Sequence, residues 1–218
     1  MTYVQAMSFS DLVTEVENLR FNSAQSTQIQ RWINDRYAAL WNADEWTFKY
    51  GQATGLTTTA NSTVLGNLPS DFGMSLGIWR DDGYPVLYVP PRDFFNTWAA
   101  STQTGSPQQF TVINQAITLG PAAMDSLNTY SMVYEKRLTP LVNDADLPAI
   151  PSQHHYLLVT GALSMGLRLY NDFTWEFQEQ AWQTGIQEMR QEWLNDQRGE
   201  NTVWGRDEVE ALPTAWGV

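Results

Sequence analysis

The residues best placed for chemistry are Ser75, Asp81, Asp82, His154 and His155. Gly73-Met74-Ser75-Leu76-Gly77 fits the Gly-x-Ser-x-Gly pattern of a nucleophile elbow, and acids and then histidines follow in the Ser, Asp, His order of that hydrolase class. Such a site would cleave esters, with Ser75 as the nucleophile. The elbow needs a strand before the serine and a helix after it, so that backbone N–H groups face the developing oxyanion. Here Pro69 and Asp71 precede Ser75, and Ile78, Trp79, Arg80 and an Asp-Asp-Gly turn follow. That context is a strand entering a hairpin, and it argues for a strand with two bending glycines.

Metal and cofactor chemistry find less support. His154 and His155 are adjacent, so on a helix they diverge by about 100° rather than stacking like an i, i+4 zinc pair. Asn143, Asp144 and Asp146 resemble part of a calcium loop that lacks its glycine and its final glutamate, which leaves a solvated turn. There is no cysteine, which removes thiolate catalysis and sulfur-ligated metals, and no phosphate-binding or dinucleotide fingerprint. No cofactor is expected, and the chain is not expected to be an enzyme.

Charge narrows the partners. With 12 basic and 24 acidic residues the formal charge is −12, the wrong sign for holding phosphates tightly, so sequence-specific nucleic-acid binding is not expected. From Asp172 onward ten acidic residues face three arginines, and Glu176, Glu179, Glu188 and Glu192 fall in one helical stretch. In a ring such acids could line a channel that repels DNA phosphates and lets a duplex slide. Neither a signal peptide nor a membrane span is expected, since residues 156–169 fall short of the ~20 apolar residues a bilayer needs. Synthesis in a cytoplasm follows.

The positioning elements follow from periodicity. Phe9, Leu12, Val13, Val16 and Leu19 predict a helix capped by Ser8 with Asp11, and Ile29, Trp32, Ile33, Tyr37, Leu40 and Trp41 predict a second reaching about Ala43. Thr-rich, Gly-punctuated sequence then begins, with strands expected at 74–79, 85–89, 109–113, 116–119 and 129–135. Pro90-Pro91 opens a short helix over 92–100, lying across the sheet. Ser152 caps a third long helix, and a fourth runs from Phe173 to about Asp196. Trp and Phe at helical spacing, such as Trp32 with Trp41 and Phe173 with Phe177, are expected in the core. Residues 201–218 show no sustained period and read as an extended arm. There Trp204 and Trp216 stand in a context too polar for a core of their own, where aromatics either anchor a chain on a partner or fold back over the helices.

These elements predict an α+β protein: a helical bundle of two N-terminal and two C-terminal helices, an inserted small antiparallel β-sheet or sandwich, and an extended C-terminal arm. The bundle takes residues 1–45 and 152–197, the β domain with its linker 46–151, and the arm 198–218.

Several short motifs, in order, carry a resemblance. They are Ile33-Asn34 and Tyr37, Leu40-Trp41, Glu45-Trp46 before the Thr-rich strand, and Leu68-Pro69-Ser70-Asp71-Phe72 entering the β part. Ala116-Ile117-Thr118-Leu119-Gly120-Pro121, the strand around Tyr134, and Asp146-Leu147-Pro148-Ala149-Ile150-Pro151 complete the series. Over roughly residues 25–195 the chain resembles the head-to-tail adaptor (connector or tail-tubular-type) proteins of tailed bacteriophages. The resemblance implies a structural virion protein of the neck, repeated as a ring, commonly a dodecamer, beneath the portal. Its partners are then the portal protein, further copies of itself, a downstream stopper or tail protein, and passing double-stranded DNA, with no membrane. It also implies that the C-terminal segment reaches the portal through Trp204, Arg206, Leu212 and Trp216.

Two other readings are carried forward. One is the esterase at Ser75. The other is a carbohydrate-binding module, which requires Trp79 or Trp98 to be exposed on a β face.

Overall fold

A computed structural model describes residues 6–99, 101–123 and 128–207, with side chains as far as Asn195. The chain divides into two compact units: residues 1–47 with 140–218, and residues 48–139. Helices make up one and a curled sheet the other, so the protein is α+β.

In the first unit, α1 (Phe9–Arg20) starts at the expected capping box. The Asp11 N–H donates to Ser8 Oγ at 3.3 Å, and the Ser8 N–H donates to the Asp11 carboxylate at 2.9 Å. The side-chain and backbone hydrogen bonds from Ser8 hold the Asp11 carboxyl below its usual range. Two more first-turn N–H groups, of Phe9 and Ser10, donate to the carbonyls of Asp146 and Asp144 at 2.8 and 3.1 Å. The acidic turn thus closes the helix N-terminus. Its conformation is set by the Asp146 carboxylate, which accepts from the Val142 and Asn143 N–H groups at 2.7 and 2.8 Å.

Helix α2 (Ser26–Trp41) buries Ile29, Trp32, Ile33, Tyr37, Leu40 and Trp41, the stripe its period predicts. Helices α4 (His155–Leu169) and α5 (Trp175–Asp207) run antiparallel: Glu179 meets Ser164, and His154 Nε2 lies 3.0 Å from Glu192. Glu192 is therefore level with the first turn of α4, and the rest of α5 rises roughly 20 Å beyond it at 1.5 Å per residue.

Four expectations in this unit need correction. Ser152 does not cap a long helix: it opens a short 3-10 turn, Ser152–His154, and α4 begins at His155 with no side-chain cap. Pro151 sets the extended backbone before that turn. The last helix does not end near Asp196, and residues 198–207 are helical rather than an extended arm. Gly199 and Gly205 cost a helix only about 1 kcal/mol each, and no proline intervenes before Pro213. Residues 208–218, with Leu212 and Trp216, lie outside the described residues. The fourth correction is that Phe173 and Phe177 are not core but 89% and 73% exposed, while Trp32 and Trp41 are buried.

In the second unit six strands form one sheet in the order β1-β8-β2-β3-β5-β6. They are β1 (Tyr50–Thr57), β2 (Phe72–Arg80), β3 (Pro85–Tyr88), β5 (Gln109–Ile113), β6 (Ala116–Gly120) and β8 (Thr129–Lys136). The small pair β4 (Thr104–Gly105) and β7 (Ala122–Ala123) stands apart. Strand β8 alternates strictly, with Tyr130, Met132 and Tyr134 turned inward. Antiparallel bridges Thr58↔Leu65 and Val64↔Thr118 join the two edge strands, so the sheet curls back on itself around Phe72, Ile78, Phe110, Ile117 and Leu119. This removes open edges that would otherwise template aggregation.

The sequence predicts an antiparallel sheet, but β3 and β5 pair in parallel, as do β4 and β7. Helix α3 (Pro91–Trp98) explains the first case: a helical crossover between β3 and β5 returns the chain in the same direction. Its Phe94 is buried, and Trp98 packs over Gly120 while donating from Nε1 to Gln109 at 2.8 Å.

Candidate functional site

Ser75 sits in mid-strand, opposite Tyr134 of β8, and β2 continues to Arg80 before a turn into β3. No helix follows it. Its Oγ is buried with no hydrogen-bond partner. The acids meant to complete a triad are committed elsewhere: Asp81 accepts from Thr129 and Ser131, and Asp82 pairs with Arg80 at 2.7 Å. Both nitrogens of buried His155 are occupied. Nδ1 accepts from the Met7 N–H at 3.0 Å and Nε2 lies 3.1 Å from the Ile150 carbonyl, which holds the ring in place. The elbow pattern is a strand motif, and these residues form no hydrolytic site.

Among the described residues no cluster of His, Asp and Glu could hold a metal, and no helix is long and apolar enough to cross a membrane. The Asn143, Asp144 and Asp146 turn serves α1 instead.

What the fold does concentrate is a polar knot and an open groove, both in the helical unit. At the knot, Arg36 Nε donates to the Gly161 carbonyl at 3.1 Å, and another of its N–H groups donates to Ser164 Oγ at 2.7 Å. The same guanidinium makes a close ion pair with Glu179 and lies 5.2 Å from the Trp182 ring centroid. Ser164 and Gln183 also donate to the Glu179 carboxylate, at 2.8 and 3.1 Å. Burial pushes the Glu179 carboxyl up, but the hydrogen bonds from Gln183, Arg36 and Ser164 and the Arg36 charge outweigh it and hold the group low. Gly161 makes room for this arrangement, since a Cβ there would stand 2.8 Å from Trp182 and 2.9 Å from Arg36. The other three acids, Glu176, Glu188 and Glu192, are exposed, and Glu192 meets His154. Glu179 is thus engaged internally and the rest face solvent.

The groove lies between α1, α4 and the start of α5 and encloses about 410 Å³. Buried Leu163 and Leu167 form its floor, Leu19, Tyr156 and Phe177 stand half-exposed or more along it, and Arg20 is at its rim. Periodicity assigned Phe177 to the core because the spacing of an aromatic stripe is the same whether a partner helix covers it or not. The groove was invisible for that reason.

In the β unit, Trp79 is 40% exposed and its ring lies over Gly77, where a Cβ would stand 2.6 Å from it. Trp98 is largely covered. Trp79 thus meets the exposure condition of a sugar-binding face, and Tyr84, Tyr88 and Phe95 of the same unit are exposed as well.

The residues that carried the resemblance prove to be ties within each unit. Asn34 bonds both backbone groups of Leu141, at 2.9 and 3.0 Å, and the Tyr37 hydroxyl accepts from the Ala149 N–H at 2.8 Å. Trp46 Nε1 donates to the Leu40 carbonyl at 2.7 Å, and the Tyr134 hydroxyl donates to Asp71 at 2.9 Å.

No curated protein matches the chain. A family model described as SU10 adaptor protein matches residues 7–207, which takes in every described helix and strand. That family is structural and not enzymatic, and its place is the virion neck. With no hydrolytic or metal site in the described residues and a match over nearly its whole length, the chain belongs to the SU10 adaptor proteins, the head-to-tail adaptors of phages.

Proposed function

We propose that the protein assembles as a ring, commonly a dodecamer, beneath the portal, joins head to tail, and forms part of the channel through which DNA leaves. The family match over residues 7–207 is the observation that carries this reading. Closed rings are built from heterologous interfaces, two different patches per subunit, and such interfaces bury the kind of apolar surface that Phe173 and Phe177 leave open here.

Glu176, Glu188 and Glu192 are the channel acids in this reading. They are exposed, whereas Glu179 is neutralised by Arg36, so the repulsion of phosphates falls to the other three. The end of α5, with Trp204 and Arg206 on a helix that has risen past α4, reaches the portal, and the region continues into Leu212 and Trp216. A stopper or tail protein docks on the far side. The subunit is made in the host cytoplasm, and its net charge of −12 keeps it off nucleic acid until the neck assembles.

The test is an affinity pull-down of tagged protein from producing cells, with mass spectrometry of the partners and electron microscopy of the eluate. Rings seated on a portal protein are expected. A lone monomer with no phage structural protein beside it would overturn the reading. Exposure of Trp79 favours a second, sugar-binding activity, for which added oligosaccharide must change the fluorescence of the wild type and not of W79A.

A further inference from the structure

We infer that the tail-side protein of the neck docks on the β unit by laying an extended, uncharged strand along the open edge of β2, over residues 72–77. The inference rests on the ring reading and names the chemistry of the segment that the downstream partner supplies.

The edge is open because of the way β3 leaves the sheet. Against β8, β2 keeps register from Phe72↔Lys136 to Arg80↔Tyr130. Against β3 it pairs only at Ile78↔Val86 and Trp79↔Pro85, since beyond Val86 the chain turns to pair in parallel with β5 through Leu87 and Tyr88. Among the described residues, positions 72–77 therefore have a ladder partner on one side alone, and no backbone bond from outside the ladder reaches positions 73–77. The bridges that curl the sheet close its outer edges and do not touch this one. An edge of this kind presents N–H and C=O groups in a row, and another extended backbone is what meets such a row with matched hydrogen bonds.

The side chains beside the edge decide what kind of strand it takes. Met74 and Leu76 on β2 are 51% and 50% exposed, and Leu87 and Tyr88, where β3 turns away, are 61% and 56% exposed. Residues 72–77 hold no charge and no proline, the usual guards of an edge. With five basic against six acidic residues, the unit over residues 48–139 carries only −1 of the chain's −12. The occupant is therefore apolar at alternate positions and uncharged along the run, and a straight segment about 20 Å long covers it at 3.4 Å per residue. A second copy is a poor match. The register of β2 slips between Phe72 and Met74 and between Ser75 and Gly77, and two edges bent in this way do not lie flat against each other. The portal contact falls to the end of α5 in the other unit, which leaves this edge to the partner on the tail side.

Hydrogen exchange on the peptide covering residues 72–77 tests this in the full-length chain, compared between free protein, rings on the portal, and whole necks carrying their tail proteins. The amides of this peptide that β8 does not engage should exchange fast in the first two and slow by roughly tenfold or more in the third. Met74→Lys combined with Leu76→Lys sets two charges beside the edge at exposed positions. With folding checked by circular dichroism, this variant should still form rings on the portal yet capture tails roughly tenfold less. Tail-bearing necks in which the peptide stays fast, or variant rings that capture tails undiminished, would overturn this inference and leave the ring reading standing. So would slowing that sets in as the free protein is concentrated, which makes a second copy the occupant, or slowing on portal rings alone, which makes it the portal or a neighbouring subunit. Absence of rings on the portal would overturn both.

Discussion

Arg36→Ala should destabilise the helical unit by about 3 kcal/mol through loss of one guanidinium that serves four groups. The pair with Glu179 is mostly sheltered, with side-chain exposures of 16% and 28%. At the 3.4 Å of its longer N···O contact and an effective dielectric near 20, the gross attraction is about 5 kcal/mol. Desolvation offsets much of this, and the residual exposure of Glu179 lets water screen more, so about 2 kcal/mol is left for the pair. Losing the hydrogen bonds to Gly161 and Ser164 and the contact with the Trp182 ring adds about 1 kcal/mol. Urea unfolding followed by Trp fluorescence reads this directly, because Trp182 lies against the knot. With a slope of about 1.5 kcal/mol per molar, the midpoint should fall by roughly 2 M. The pH dependence checks the cause. The Glu179 carboxyl is held below its ordinary 4.5 in the fold, so its contribution is complete above that pH and is lost as pH falls through the lower, folded value. The gap between wild type and R36A should therefore be constant from pH 6 to 8 and shrink below about pH 4.5. A double-mutant cycle with E179Q isolates the pair. A loss under about 0.5 kcal/mol, or a gap unchanged down to pH 3, would refute this account of the knot.

Three further outcomes follow from single atoms. Ser75→Ala removes a buried hydroxyl with no partner, so stability in a thermal scan should hold or rise by up to about 1 kcal/mol, and virion assembly should be unaffected; a clear loss would expose a bond this structure lacks. Gly166→Ala would place a Cβ 2.5 Å from Phe21 and 2.7 Å from Trp32, two rings already packed 5.3 Å apart, so despite better helix propensity it should cost about 1–2 kcal/mol by urea titration, and a neutral result would show that the rings yield. Burial of the Tyr134 hydroxyl, then its hydrogen bond to Asp71 and that carboxylate's charge, push the phenol up to about 12. Its stabilising effect should be complete below the ordinary 10.0 and lost as pH rises from there through the folded value of about 12, and ultraviolet titration of Tyr134→Phe should lack the last tyrosine to ionise.

Local signals were legible wherever a residue's partner is close along the chain. Ser8 and Asp11 are three apart, and the capping box they predict is present. The stripes of α2 and α4 follow the helical period, and β2, β3, β5, β6 and β8 fall where β-branched residues and turn dipeptides put them. What escaped depends on distance. Nothing in the spacing of Arg36 and Glu179, 143 residues apart, announces an ion pair, and Asn34 with Leu141 is equally silent. The parallel pairing of β3 with β5 was missed although α3 was expected between them, because pairing direction is a property of the whole crossover and not of either strand.

Helix α5 carries both a legible stripe and an illegible one. A hydrophobic period says which side of a helix is apolar, and says nothing about who covers it. Trp182, Ile186 and Met189 are covered by this chain, while Phe177, part of the same run in sequence, is left open. The helix also keeps going after its apolar period stops, because ending a helix takes a proline or a competing cap, and neither stands between Asn195 and Asp207. Phe177 leaves an open aromatic near one end of this long helix, while further along it Trp193 packs edge-on against Trp46 at 6.4 Å. In the ring proposed above, an aromatic left open by its own chain is the kind of surface a neighbouring subunit covers. The features that intrachain periodicity misjudged are in that sense those with the most to say about assembly.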